Sequence, residues 1–240
     1  MSLVSALQAR SGVTCVVGAG GKKSAMYALA ERLPEAILTA TVRIPIFDAE
    51  VERVVVTDSP VDAAMTYTER PLGLVPEREG TDRYLGYDTT VVDTLSDAVD
   101  APILVKADGA RMRRFKAPGS HEPQLPSSAT TVVPVVSAHV LGEPLSEELV
   151  HRVDRVADIA ECDPGAELTP PIVARVLTAN RGGWKGVPDG ATVIPLINMV
   201  DTAELETRAR SLATEIHDRA TVPHVVLTCL RADDPIIATI

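Results

Sequence analysis

Residues 16–24 read VVGAGGKKS: two β-branched residues, three glycines, two adjacent lysines and a serine. The chain has only five lysines, so two together on a glycine turn ask for an anionic ligand. Glycine lets the backbone aim several N–H groups at one oxyanion, a following helix adds its positive end, and a lysine reaches the outer phosphates. On this reading the main chain of Gly18, Ala19, Gly20, Gly21, Lys22, Lys23 and Ser24 cradles the phosphates of ATP or GTP. Lys22 neutralises their charge, and Ser24 offers the hydroxyl for Mg²⁺.

Neither register of the pattern G-x-x-x-x-G-K-[ST] is complete. With Lys22 as its lysine, Val16 takes the first glycine place and Lys23 the hydroxyl place; with Lys23, Ser24 fits but Lys22 displaces a glycine. The dinucleotide pattern G-x-G-x-x-G fits less well. Lys23 falls on its third glycine, and Thr39 and Thr41 stand where a ribose-binding acid belongs. A plain glycine turn with solvated lysines is the alternative.

Three other stretches could complete such a site. Asp108 follows the apolar run APILVKAD, where nucleotide-binding enzymes place the acid that holds Mg²⁺ or orients water; a turn aspartate before glycine is the bland reading. Lys106, Arg111, Arg113, Arg114 and Lys116 follow one another with a single acid among them. Grouped guanidinium groups grip oxyanions bidentately, so they would steady developing charge or hold a second anion. Surface ion pairs are the alternative there. In LINMVD, Asn198 and Asp201 have the Asn-x-x-Asp spacing that reads a guanine edge, although Met199 replaces the usual lysine; Asp201 could equally cap a helix.

These residues need strands and helices to position them. VTCVV (13–17), EAILTATV (35–42), VERVVVTD (51–58), APILVKAD (101–108), TTVVPVVSA (130–138), ATVIPLINMVD (191–201) and HVVLTCL (224–230) read as strands, the last being the final clear one. Helices are expected over 22–33, after Ser59 with Pro60 at its first position, and over 89–100, 146–160, 169–179 and 202–220. Residues 70–88 read as a loop or short hairpin, and the proline-rich 115–128 as irregular. Strands alternating with helices predict an α/β fold with a doubly wound, mostly parallel sheet of P-loop NTPase type. One domain over 1–240 is expected, with an irregular excursion at about 109–128.

Composition narrows the function classes. The net charge of −10 argues against nucleic acid and against an anionic membrane surface as partners. Cys15, Cys162 and Cys229 have no metal-ligand spacing. No apolar run reaches the roughly 18 residues of a membrane span, and a cytoplasmic protein is expected.

Taken together, VVGAGGKKS, LTATVRIP, KADGARMRRFKAPGSHEP, LVHR, GGWKGVP and INMVD resemble the YqeC-type proteins, described as accessory factors for selenium-dependent molybdenum hydroxylases. The resemblance covers nearly the whole chain, and the Asp-Gly-Ala-Arg to His-Glu-Pro stretch is its most specific part. It implies a nucleotide-binding P-loop fold and a molybdenum hydroxylase apoprotein or its cofactor as partner. By motif position Gly18, Gly20, Gly21 and Lys22 would cradle phosphates, and Asp108 would act near the metal, with Arg111 read from its own chemistry as steadying the developing charge. Lys23 stands where that pattern carries threonine, and Thr39 and Thr41 would then help from the second strand. Two other functions stay open: a small-molecule kinase or transferase, and an anion-binding scaffold that cleaves nothing.

Overall fold

The computed structural model describes residues 1–240. Its main sheet is built from β1 (Val13–Gly18), β2 (Ile37–Ala40), β3 (Arg53–Val56), β4 (Leu72–Val75), β5 (Ile103–Lys106), β6 (Ala129–Ser137), β7 (Leu196–Asn198), β8 (Val226–Thr228) and β9 (Ile236–Thr239). In space these lie in the order β9-β8-β7-β6-β1-β5-β2-β4-β3, with Thr192–Val193 pairing beside β6. All neighbours are parallel except the β8–β9 pair. Runs of Val, Ile and Leu suit such strands because both faces are covered.

The helices are α1 (Leu3–Ala6), α2 (Lys22–Arg32), α3 (Pro60–Thr66), α4 (Thr89–Ala98), α5 (Val153–Ala160), α6 (Pro170–Thr178) and α7 (Ala203–Arg219). One face of the sheet packs on α1 and α2 through Val16, Leu38, Leu104 and Val133. The other face packs Val132 and Val105 under α3 and α4, and Val136, Ile197 and Leu227 under α5 to α7. The fold is therefore α/β with helices on both faces of a mostly parallel sheet. No helix is long and apolar enough to cross a membrane.

Several boundaries differ from the sequence reading. The stretch 70–88, expected as a loop or short hairpin, does hold a small hairpin of Arg78–Glu79 with Arg83–Tyr84, but it begins with β4, an interior strand between β2 and β3. The helix expected from 146 begins only at Val153. Ahead of it Val150–His151 pairs in parallel with Phe115–Lys116, inside the expected irregular excursion. Pro195 divides the strand expected over 191–201. The sheet also continues past β8 into the half-exposed β9.

Candidate functional site

β1 lies between β5 and β6, and register sets what meets its carboxyl end. Val16 is opposite Lys106, and Gly18 is opposite Val135. The chain leaving β5 therefore carries Asp108 to Gly18, whose amide donates to Asp108 Oδ2 at 2.8 Å. From there the glycine loop bends tightly over the ends of β6 and β7. Gly20 and Gly21 have φ of +87° and +127°, and a Cβ would overlap the Ser137 amide at the first and the Asn198 side chain at the second. Only glycine tolerates both the torsion and the proximity.

Asn198 is the clasp that holds this bend. Its Nδ2 donates to Gly20 O at 3.0 Å, while Oδ1 accepts from Thr228 Oγ1 and the Leu230 amide. The residue is buried with both its amide nitrogen and its oxygen hydrogen-bonded within the protein, so in this structure it positions the loop. Asp201 lies further out, with its carboxylate 3.0 Å from His139 Nε2. Arg114 stands 3.2 Å from the other ring nitrogen and can only donate, which leaves Nε2 carrying the proton that Asp201 accepts.

The loop's amides divide into two groups. Those of Gly18, Ala19 and Gly20 donate inward, to Asp108, Val135 O (2.9 Å) and Arg113 O (3.2 Å) respectively. Those of Gly21, Lys22, Lys23 and Ser24 open α2 and have no acceptor in the protein. Of the seven amides expected to face an anion over Gly18–Ser24, only the last four are therefore unclaimed, at the end where the helix dipole is also concentrated.

Beneath that helix end lies a buried charge cluster. Lys22 Nζ is 2.9 Å from Asp108 Oδ1 and also donates to Gly18 O. Lys116 Nζ is 2.9 Å from Asp108 Oδ2 and 2.8 Å from Glu122 Oε2. Arg152 reaches the same Glu122 oxygen at 2.7 Å, and the Gly109 and Gly119 amides donate to that carboxylate. Lys106 is buried with a single partner, the Arg43 carbonyl at 2.7 Å. Lys185 binds the Gly119 and Ser120 carbonyls on the rim. Four of the chain's five lysines thus gather at one edge of the sheet, and the fifth, Lys23, follows Lys22 in the first turn of α2.

Cations outnumber carboxylates there, and the titrating groups register it. Burial, followed by the charges of Lys22 and Lys116, pushes Lys106 down to about 7. Burial, then Arg152, Lys116 and Arg111, pushes His151 down to about 4. Lys22 and Lys185 are lowered too, chiefly by burial. Glu122 is displaced the opposite way, to about 2: burial would raise it, but Lys116, Arg152 and the Gly119 amide together overcome that. A pocket that makes its cations easier to deprotonate is one that an added anion would relieve.

Other expected ligands lie elsewhere. Thr39 Oγ1 donates to Leu74 O at 2.8 Å and Thr41 Oγ1 to Gln124 O at 2.6 Å; both are buried and tie chain segments together. Ser24 is exposed beside Tyr27 on a surface cleft of about 910 Å³, two residues and about 200° round the helix from Lys22. Asp108 has both oxygens engaged by ammonium groups or an amide. Ser24 and Asp108 therefore do not form the joint Mg²⁺ site expected of them. Arg111, Arg113 and Arg114 make no ion pair, so the surface-pair alternative does not apply to them. What reading the residues one by one missed is Glu122 and Arg152. Their only signal was the letters HEP and LVHR in the family pattern.

An α/β chain whose central parallel strand runs through a glycine bend into a helix, above a buried lysine–carboxylate cluster, is the class defined here. The family model described as YqeC protein matches residues 14–154. A protein of Escherichia coli (strain K12) named "Uncharacterized protein YqeC" is 30% identical over 203 residues, spanning 82% of this chain and 79% of its own. The chain belongs to the YqeC family. No solved structure matches it.

Proposed function

We propose that this chain is a P-loop-type protein that binds ATP or GTP at the start of α2. The carrying observation is the coincidence of four unclaimed amides, Gly21 to Ser24, with three buried lysines in cationic excess. A triphosphate supplies the missing negative charge and the missing acceptors together. Lys22 leaves Asp108 for the phosphates, and Asp108 Oδ1 is then free to orient an attacking water. Mg²⁺ enters only as the nucleotide's counter-ion.

In this reading the nucleotide-bound state, with slow hydrolysis, assists the maturation of a molybdenum hydroxylase apoprotein or its cofactor in the cytoplasm. Ser24 faces away from Asp108, which favours binding over rapid turnover and keeps the non-cleaving scaffold as the second reading. Lys22→Ala is expected to abolish ATP and GTP binding in isothermal titration calorimetry while far-UV circular dichroism stays unchanged. Wild-type affinity in a folded Lys22→Ala chain overturns the proposal. Phosphate release, measured with and without the hydroxylase apoprotein, separates the two readings.

A further inference from the structure

Eighteen arginines are distributed over the chain. Ten form ion pairs with carboxylates. Five more donate to neutral acceptors. Arg111, Arg113 and Arg231 alone make no side-chain bond at all, and two of these share one four-residue turn. In an acidic protein a free guanidinium ordinarily finds a carboxylate, so two left bare side by side call for an explanation.

The turn is held in an unusual shape. Arg113 N donates to Ala110 O at 2.9 Å, and the two central residues, Arg111 and Met112, have φ of +47° and +63°. That double left-handed geometry normally falls to Asn and Gly, yet here it carries an arginine and a methionine. Strain of this kind persists where the surroundings over-determine it. The surroundings do: Arg113 O accepts the Gly20 amide, Arg114 O accepts the Ser137 amide, and Arg114 N donates to Leu149 O. The turn is pinned to the glycine loop on one side and to β6 on the other. Its arginines are presented to solvent, with Met112 at the tip 89% exposed.

We propose that the Ala110–Arg113 turn is a second anion site, gripping a phosphate monoester through Arg111 and Arg113 beside the first site at α2. Guanidinium forks suit phosphoryl oxygens, and the bond from Gly20 to Arg113 fixes the spacing between the two anions. The inference deepens the nucleotide reading by naming the class of its co-substrate.

Inorganic phosphate is the probe, titrated into the full chain and followed by ³¹P NMR and calorimetry. Wild type binds two equivalents. Arg111→Ala/Arg113→Ala loses one, weakened at least tenfold, and Lys22→Ala loses the other; the lysine double variant at 111 and 113 recovers the first only in part. The exposed arginines can be removed without unfolding the chain. Two equivalents retained in the arginine variant, or a single wild-type equivalent lost in Lys22→Ala, overturns the second site and leaves the first standing. An equivalent lost only through the arginines does the reverse.

Discussion

Asp108 and Glu122 hold the same lysine from opposite sides, yet they are different kinds of anchor. Asp108 is 2% exposed, sits just past β5, and joins Lys22, Lys116 and the glycine loop. Glu122 is 19% exposed, lies in the excursion after β5, and joins Lys116 to Arg152 and to its own loop's amides. The first fastens the site to the sheet; the second fastens the excursion to the site. The difference teaches that a scaffold strand can fix one carboxylate, while the other depends on an irregular segment folding back onto it.

The sharpest way to break this comparison is Asp108→Asn. It leaves Lys22 with only the Gly18 carbonyl, and Lys116 with Glu122 and the Gly109 carbonyl, both lysines almost wholly out of water. Removing one partner from a buried ion pair costs about 3–5 kcal/mol, since the remaining charge is stranded. Urea unfolding should show a loss in that range, partly restored by adding Lys116→Met. A loss no greater than that for the partly exposed Glu122 would mean that burial does not distinguish the two carboxylates.

The same contrast explains what could be read beforehand. Asp108 was legible because an apolar run ending in an acid before glycine marks a strand end, and the β1–α2 bend was legible from its glycines. Glu122 was not, because its partners arrive from residues 116 and 152 through a fold that no periodicity encodes. Strand β4 was hidden by its own packing: Gly73 breaks the strand pattern, but a Cβ there would lie 2.7 Å from Phe47. The helix expected from 146 reads well as a pattern, but Val150–His151 pairs with Phe115–Lys116 instead. Thr39 and Thr41 matched the ligand chemistry, while packing spent their hydroxyls on carbonyls.

Glu122→Gln tests the weaker anchor. Hydrogen bonds to a charged acceptor are worth about 1.5–3 kcal/mol, and the amide retains some of them, so a loss of about 1–3 kcal/mol is expected at pH 7. The sign with pH follows from the carboxyl being held at about 2 against an ordinary 4.5. Between those values the unfolded chain binds the extra proton, so the stabilisation is complete above pH 5 and fades as pH falls toward 2. The gap between wild type and Glu122→Gln in urea midpoints should therefore narrow steadily from pH 5 to pH 3. A gap that is constant over that range would separate Glu122 from the charge cluster.

Asp201 extends the comparison to a third carboxylate on the same edge, and it should matter least to folding. Its partner is His139, the imidazole is partly exposed and the carboxylate exposed, and such pairs are worth less than about 1 kcal/mol. Asp201→Asn should leave the urea midpoint nearly unmoved. Its value lies in base choice: a guanine-reading Asp201 must first release His139, whereas an adenine nucleotide asks nothing of it. GTP affinity falling at least tenfold in Asp201→Asn, with ATP affinity unchanged, would assign the base to guanine. If neither affinity moves, Asp201 is a rim tether that helps hold the His139–Arg114 side of the edge, and nucleotide recognition rests on phosphates alone.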